Sequence, residues 1–438
     1  MANFFNVLDR AATASIKDSF DVQSYGAKGD GTTSDLEAFK ACFSAAIAAG
    51  QADSTYYAEV VIQPGYYNVD GAPTQGGATK GNALIALPVM PVTGQKFVLV
   101  IRGVREATAL WHWQQTSAQR SGAVLVSTTT TGTNDGTFGI TSIIGGPTPE
   151  QGYGQAAALY SNMLVVADGV SFLMANNPTM SGLDLAGVAE MNIPNVQFMV
   201  NAVPGTVTAP TSSWQFGLRC PQNNNNDNST IGSFSAEGMN YALIADEHLV
   251  ANTVRCIYCV AAVEAGQGNS DTSHGMIINY LSAESCQVGL GAVLGGSPIK
   301  VQVNLLDWES GSGGFAPFAA INDPTDHLLG TVNVTADGTR LIVSGTNGYK
   351  VNSAQALRVY DTRRVAGAVA APTVPATTVD LLNPFFRDAA VTLTGGVVTN
   401  VKVDGTSLGL TVGSFIVPTN KKVNLTYSSA PTWVWTLM

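Results

Sequence analysis

The chain has 438 residues, of which 21 are basic, 31 are acidic and 46 are glycine, and its formal net charge at pH 7 is −10. The acidic balance argues against a nucleic-acid-binding protein, because such proteins normally carry a basic face. Charged residues make up only 12% of the chain, and this glycine-rich, charge-poor composition favours β-structure with many turns over a helical protein. The length fits one large elongated domain or two to three compact ones.

Residues 1–19 are predicted to be a separate leader, whose apolar side chains would form a short helix that docks onto another protein. The start of the chain lacks the basic region and apolar core of a secretory signal. No apolar run approaches the about 20 residues that a membrane helix needs. We therefore expect synthesis in a cytoplasm without a signal peptide, and no insertion into a membrane.

Residues 20–69 have the order strand, glycine turn, capped helix and strand. Residues 20–25 form the first strand pattern, and the glycines of residues 26–31 permit a sharp turn. Ser34 is the predicted N-cap, with Glu37 completing a capping box. Apolar residues then recur at helical spacing up to Gly50, where the helix is expected to end. Residues 60–62 form a buried strand, and Pro64-Gly65 turns the chain into residues 66–69.

This arrangement resembles the opening of the pectate-lyase-like superfamily, including its phage tailspike branch. The family often has two adjacent acids where Ser34-Asp35 stands here, but either residue can cap a helix. The alternative is an ordinary strand–helix–strand unit. The resemblance implies an all-β, right-handed parallel β-helix over residues 20–362, with an N-terminal capping helix. It also implies polysaccharide ligands and a homotrimer.

Four segments in residues 229–310 repeat at a period typical of one β-helix coil, namely residues 233–237, 256–260, 280–284 and 305–309. Repeats of this length are the mark of stacked architectures. Strand alternation would point two sets of side chains into the core. These are Phe234, Ile257, Leu281 and Leu306, followed by Ala236, Cys259, Ala283 and Trp308.

The outward side chains of this repeat are the best candidates for a functional site. Glu284 and Glu309 would stand about 4.8 Å apart on adjacent coils, with Asp307 on the same face. Like charges so close raise one pKa, which makes an acid and a base available together, and a separation near 5 Å suits a retaining glycosidase. We therefore name these three acids as candidate catalytic residues, and Tyr258 and Glu237 as candidate glycan-binding residues. The alternative is that the acids are solvated or contact neighbouring molecules.

Other motifs are weaker. The polygalacturonase motifs and the clustered calcium-binding aspartates of pectate lyases are absent from the sequence, and Asp246-Glu247-His248 is expected to mark a coil corner. The five cysteines are odd in number and scattered, so they do not predict a disulfide framework. Cys256 and Cys259 have C-x-x-C spacing, but on a strand their side chains would point to opposite faces. We expect no metal site and no cofactor.

The C-terminal part differs from the rest. Residues 363–378 are rich in Ala, Val, Pro and Thr and are predicted to be a linker. Residues 379–438 alternate with period two, with hairpin-type turns at Gly395-Gly396 and Asp404-Gly405, which predicts a small antiparallel β-sandwich. This segment resembles a C-terminal module of structural proteins from phages that infect actinobacteria.

Three functions remain open from the sequence. We favour a bacteriophage virion protein of the tail or fibre that binds host cell-surface polysaccharide. It would contact other virion tail proteins through residues 1–19 and leave the host by lysis. The alternative is a glycan depolymerase, a hydrolase or lyase, on the same scaffold. A bacterial sugar-chain enzyme is disfavoured by the missing signal and motifs.

Overall fold

A computed structural model describes most of the chain from Ser19 to its last residue. The described residues are 19–52, 56–72, 82–91, 94–104, 122–129, 141–147, 161–175, 180–201, 215–221, 228–246, 248–265, 275–293, 299–309, 319–323, 327–336, 343–344, 357–361, 367–369, 371–385, 388–418 and 421–438. Except for Ser19, the predicted leader lies outside them.

Between residues 19 and 361, the described strands form two parallel sheets. Their strands in chain order are β1 (Ser19–Asp21), β2 (Asp30–Ser34), β3 (Tyr57–Ile62), β4 (Gly65–Asn68), β5 (Asn82–Ala86), β6 (Phe97–Gly103), β7 (Ala123–Ser127), β8 (Thr141–Gly145), β9 (Ser161–Ala175), β10 (Ser181–Asp184), β11 (Val188–Asn201), β12 (Phe216–Arg219), β13 (Ser229–Glu237), β14 (Tyr241–Ala245), β15 (Leu249–Ile257), β16 (Ala261–Ala265), β17 (Gly275–Glu284), β18 (Val288–Gly291), β19 (Ile299–Glu309), β20 (Ala319–Asn322), β21 (Leu328–Ala336), β22 (Val343–Ser344) and β23 (Leu357–Asp361).

The chain alternates between the two sheets from β9 onward. Odd-numbered strands lie side by side in a 14-stranded sheet, and even-numbered strands from β8 to β22 lie in a 9-stranded sheet. Strand β9 pairs with β6 through its first half and with β7 through its second half, so one long strand contributes to two faces. Parallel strands joined by crossovers are right-handed in nearly all proteins. The fold is an all-β, right-handed parallel β-helix, as predicted.

The core of the β-helix is a stack of apolar side chains from successive coils. The rings of Phe172 and Phe198 are stacked with centroids 4.8 Å apart, and Phe234 follows Phe198 at 5.6 Å. All three side chains are buried. Such offset aromatic contacts add to the free energy gained from apolar burial, and here they reinforce the coil-to-coil spacing that the strand hydrogen bonds set.

Among the described residues, one α-helix, α1 (Leu36–Ala52), covers the core at the N-terminal end of the β-helix. A short 3-10 helix, Val22–Tyr25, replaces most of the strand predicted over residues 20–25. The apolar face of α1 is buried, in agreement with the predicted capping helix. The predicted capping box is wrong, because Ser34 pairs with Asn68 in the sheet and Glu37 is exposed beside Lys40. Asp35 precedes the helix instead. The helix also continues past Gly50, where a Cβ atom would lie 2.5 Å from the carbonyl oxygen of Tyr57.

The coil register differs from the predicted repeat at one segment. Ser233 pairs with Thr253, and Thr253 pairs with Tyr280, so residues 256–260 were aligned wrongly by period counting. The other three segments are aligned as predicted. The connections between coils differ in length, because β14 and β15 are joined by a short corner whereas a longer segment separates β16 from β17. An even spacing therefore placed the second segment too late.

The C-terminal strands form two antiparallel sheets of four strands. In chain order they are β24 (Gly367–Val369), β25 (Asp380–Leu382), β26 (Ala389–Thr394), β27 (Val397–Val403), β28 (Thr406–Ser407), β29 (Gly413–Val417), β30 (Lys422–Ser429) and β31 (Thr432–Leu437). The sheet orders are β24-β31-β26-β29 and β25-β30-β27-β28. They enclose a core that includes Trp433 and Trp435, which confirms the predicted sandwich.

The turns of the sandwich agree only partly with the sequence. Asp404 and Gly405, with φ of 50° and 81°, join β27 to β28 as a hairpin. Gly395 and Gly396 also have positive φ, but they carry the chain from one sheet to the other rather than closing a hairpin. Strand β24 lies within the predicted linker and pairs with β31. Among the described residues, no helix has the length and apolar character that crossing a membrane requires.

Candidate functional site

The structure brings Glu284 and Glu309 together as direct neighbours. They are paired residues of β17 and β19, and adjacent strands lie about 4.8 Å apart. Glu284 is half-buried, Glu309 is exposed, and Asp307 is half-buried beside its paired residue Ser282. The three carboxylates therefore occupy one outer surface of adjacent coils, where two of them can approach a common ligand.

Strand pairing defines the two outward columns on this surface. They consist of Ser235, Arg255, Ser282 and Asp307, and of Glu237, Ile257, Glu284 and Glu309. Glu237 and Ile257 are buried, each with 7% of its surface exposed, so Glu237 offers little surface to a glycan. The prediction that Ile257 points inward with Phe234 and Leu281 was wrong, because Val254 takes that position and is fully buried. Glu237 is separated from Glu284 by the strand that carries Ile257. It is thus about 10 Å from the Glu284 column position.

Tyr258 does not lie in either column. It is a corner residue after β15, with φ of 54°, and only 6% of its surface is exposed. Burial raises the pKa of its phenol, and the nearby carboxylates of Glu284 and Glu237 raise it further. Tyr258 therefore lies close to both acids, but its ring does not present the open face that stacking on a sugar needs.

Arg255 occupies the column position that sequence analysis gave to Tyr258. The tyrosine that contacts Asp307 is instead Tyr280. It lies on β17, is half-buried, and its hydroxyl donates to Oδ2 of Asp307 over 3.3 Å. The signal was present in the sequence, since Tyr280, Ser282 and Glu284 alternate on one strand and share a face. Sequence analysis considered only the carboxylates of that segment and missed the tyrosine.

A row of asparagine side chains runs along the same coils, and we call it the amide ladder. It consists of Asn252, Asn279, Asn304 and Asn333. Asn279 Nδ2 donates to Asn252 Oδ1 at 2.9 Å, and Asn304 Nδ2 donates to Asn279 Oδ1 at 2.8 Å. Asn333 Nδ2 donates to the backbone oxygen of Asn304 at 3.0 Å. The aligned segments leave the ladder out, because Asn279 and Asn304 each precede a segment by one residue and Asn252 was displaced by the misaligned second segment.

The ladder lies where each long strand turns from one face to the next. Asn279 and Tyr280 on β17, like Asn304 and Leu305 on β19, are consecutive residues that are not buried. Two such residues in a row break the inside–outside alternation of a strand. The amides therefore project at an outer corner, beside Tyr280.

Three cysteines form a buried cluster rather than a site. Cys256 and Cys259 both lie in the core, so the prediction of opposite faces was wrong, because the corner at Tyr258 interrupts the alternation between them. Burial raises the pKa of Cys256 and Cys286 well above the ordinary value, and the neighbouring thiols raise it further. These thiols are protonated and shielded from solvent. Within the described ranges, no group of His, Cys, Asp and Glu is arranged to hold a metal ion.

The Asp246-Glu247-His248 segment lies at a corner of the coil. His248 has φ of 58°, its N–H donates to the oxygen of Gly275, and its carbonyl oxygen accepts from Ser229. Asp246 is buried and Glu247 lies outside the described residues. Asp246 and His248 thus have the corner geometry that the sequence predicts, and His248 contacts the start of β17, at the opposite end of that strand from Glu284.

Comparison with known proteins leaves the family open. No protein-family model matches the chain, and no curated protein matches it. Among solved structures, ORF18 of Geobacillus virus E2 is similar with a TM-score of 0.39 and 10% identity, over 98% of this chain and 79% of that one. The A-module of mannuronan C-5 epimerase AlgE6 from Azotobacter vinelandii has a TM-score of 0.29 and 12% identity, over 78% of this chain and 99% of that one. The A-module of AlgE4 from the same organism has 0.24 and 12%, over 79% and 98%. At these TM-scores the likeness carries no functional inference, and the fold rests on the strand pairing itself.

Proposed function

We propose that the protein is a bacteriophage virion protein, part of a tail or fibre, which binds a host cell-surface glycan on the outer surface of coils β15 to β21. The observation that carries this is the contact between Tyr280 and Asp307 beside the amide ladder. A tyrosine ring offers an apolar face with a polar tip. Carboxylates accept hydrogen bonds and amides both donate and accept them, which matches the hydroxyl-covered edges and apolar faces of sugar rings.

The virion assignment is supported by two sequence resemblances. Residues 20–69 resemble the opening of the pectate-lyase-like superfamily with its tailspike branch, and residues 379–438 resemble a C-terminal module of phage structural proteins. On this proposal, residues 1–19 attach the protein to other virion tail proteins, residues 20–362 form the shaft, and residues 363–378 link it to the C-terminal module. The working particle is a homotrimer in the virion.

A glycan depolymerase, either a hydrolase or a lyase, is the second candidate. The direct pairing of Glu284 with Glu309 favours it, because two carboxyl groups about 5 Å apart are the arrangement of retaining glycosidases. Asp307, two residues from Glu309 on the same face, would then tune the pair electrostatically.

Incubation of the purified protein with host cell-wall or capsule glycan tests both candidates. Retention of the glycan without released oligosaccharide supports the binding protein, and release supports the depolymerase. Glu284→Gln and Glu309→Gln should each abolish release if the pair is catalytic, while Tyr280→Ala should weaken retention about tenfold, equivalent to about 1.4 kcal/mol. Thr426→Ala on the sandwich is the control. If the glycan is neither retained nor cleaved, the proposed function is wrong.

A further inference from the structure

We propose that the amide ladder selects the ligand, and that it binds a linear, uncharged polysaccharide lying parallel to the axis of the β-helix. Successive sugar residues would then contact successive coils. This inference rests on the proposed glycan-binding function and names its ligand class.

The ladder is held in position before any ligand arrives. Asn279 both donates to Asn252 and accepts from Asn304, and Gln302 Nε2 donates to Asn304 Oδ1 at 2.9 Å. Each side-chain amide has two N–H donors and an oxygen with two lone pairs, so the bonds within the ladder use only part of its capacity. Asn252, Asn279 and Asn304 are exposed. A fixed row of exposed donors and acceptors binds with less loss of side-chain entropy than mobile amides would.

The spacing of the ladder favours a polysaccharide over a peptide. Its rungs repeat with the strands, at about 4.8 Å. A linear polymer of sugar rings repeats at about the length of one ring, which is close to this interval. An extended peptide presents equivalent side chains only every second residue, at about 6.6 Å or more, and falls out of register after two rungs.

The columns beside the ladder suit the faces of sugar rings. On one side lies the column of Val250, Ile277, Gln302 and Thr331. Val250 and Ile277 are 42% and 36% exposed, which makes them apolar platforms in water. On the other side lies Tyr280. The ladder is thus flanked by apolar surface, and apolar ring faces gain free energy by covering it.

The charges around the ladder disfavour an acidic glycan. Glu284, Asp307 and Glu309 lie on the adjoining face. The basic residues at paired outward positions of β15 to β19 are Arg255 and Lys300. The whole chain carries a net charge of −10. A polymer with a carboxylate or phosphate on each repeat would be repelled both locally and at long range, whereas an uncharged polymer is not.

A binding panel tests this inference. Immobilised uncharged polysaccharides (dextran, mannan, galactan and cellulose) are compared with anionic alginate and polygalacturonate, using the full chain. We expect retention on at least one uncharged polymer, and tighter binding of its soluble oligomers as they lengthen from two to four residues. Asn279→Ala, which removes the central rung, should weaken binding about tenfold. Asn252→Ala, which removes one end bond, should weaken it less. Asn400→Ala, on the sandwich, is the matched control.

The outcomes separate the inference from the proposed function. Retention on an uncharged polymer that is unchanged in both ladder variants, or retention on the anionic polymers alone, overturns the ladder inference and leaves glycan binding intact. Failure to bind any polymer, host glycan included, overturns both. Thermal unfolding of each variant shows whether it is folded. If Asn279→Ala does not fold, the binding of Asn252→Ala decides whether the ladder inference holds.

Discussion

At the scale of single residues, the buried ion pair of Asp184 and Arg219 shows how charge is accommodated in this β-helix. Arg219 donates from Nε to Oδ1 and from Nη2 to Oδ2 of Asp184, at 2.9 and 2.6 Å. Both side chains are almost fully buried, and the guanidinium lies 5.4 Å from the centre of the Phe216 ring. Such a pair is costly to break because one charge is then left without its partner in a medium of low polarity.

We expect Arg219→Met to lower the free energy of unfolding by about 3–5 kcal/mol, because it strands the Asp184 carboxylate. The double variant Arg219→Met/Asp184→Leu should recover most of that loss, since it removes both charges. Urea unfolding of the two variants checks this. If the double variant is less stable than Arg219→Met, the ion pair is not what holds this part of the coil.

Residue-scale prediction from the sequence succeeded where alternation is unbroken and failed at corners. Leu281, Ala283 and Trp308 lie inside as expected, because they sit within straight strands paired in register. Tyr258 itself has a positive φ of 54° and Cys259 follows it, which a period-two pattern cannot anticipate. The corner buries Tyr258, whereas Tyr280, within strand β17, is half-buried and contacts Asp307.

At the scale of elements, the turn before α1 depends on one carboxylate. Asp35 is 1% exposed and accepts hydrogen bonds from the backbone N–H groups of Lys28 and Gly29, at 2.6 and 3.2 Å. Its own N–H donates to the carbonyl oxygen of Asn68. The residue thus connects the glycine turn, the helix start and strand β4. Local capping rules had assigned the helix start to its neighbour Ser34.

We predict that Asp35→Ala destabilises the protein by about 1–3 kcal/mol, because two backbone N–H groups lose a buried carboxylate acceptor. Glu37→Ala is the matched control and should change stability by less than about 0.5 kcal/mol, since an exposed i,i+3 ion pair contributes little. Thermal unfolding distinguishes the two. Equal losses would mean that the predicted capping box forms after all.

The existence of elements was easier to predict than their register. The helix and the sandwich follow from periodicity and turn residues, and the β-helix was expected from the resemblance of residues 20–69 together with the repeat in residues 229–310. The pairing of Ser233 with Thr253 does not, because it depends on how many residues each corner and loop takes up. The amide ladder became visible only once that register was known.

At the scale of the whole molecule, the free thiols in the long core make the stability of the protein depend on pH in the alkaline range. All five cysteines are buried and free. Burial raises the pKa of Cys42 to about 12, and it raises that of Cys220, Cys256 and Cys286 well above the ordinary value. A thiol whose pKa is higher in the folded state contributes its full stabilisation at pH values below the ordinary thiol pKa. That contribution is lost as pH rises above it, because only the unfolded chain then releases the proton.

We therefore expect the urea midpoint to be steady near neutral pH and to fall above about pH 8.5–9, the ordinary range of a thiol. Each thiol whose pKa is raised in the folded state contributes a slope of about −1.4 kcal/mol per pH unit there. Cys220→Ala should make the fall shallower by one such contribution. An unchanged slope in this variant would show that its thiol ionises as easily in the folded protein as in the unfolded chain.

Hydroxyl-radical footprinting with a bound polysaccharide tests most directly whether glycan binds on the outer surface of coils β15 to β21. Tyr280, Ile277 and Val250 should be oxidised more slowly when the ligand is saturating. Ile416 and Val434 on the sandwich, which are 50% and 48% exposed, should react at the same rate with and without it. Unchanged oxidation of Tyr280 and Ile277, or protection confined to the sandwich, would contradict the account.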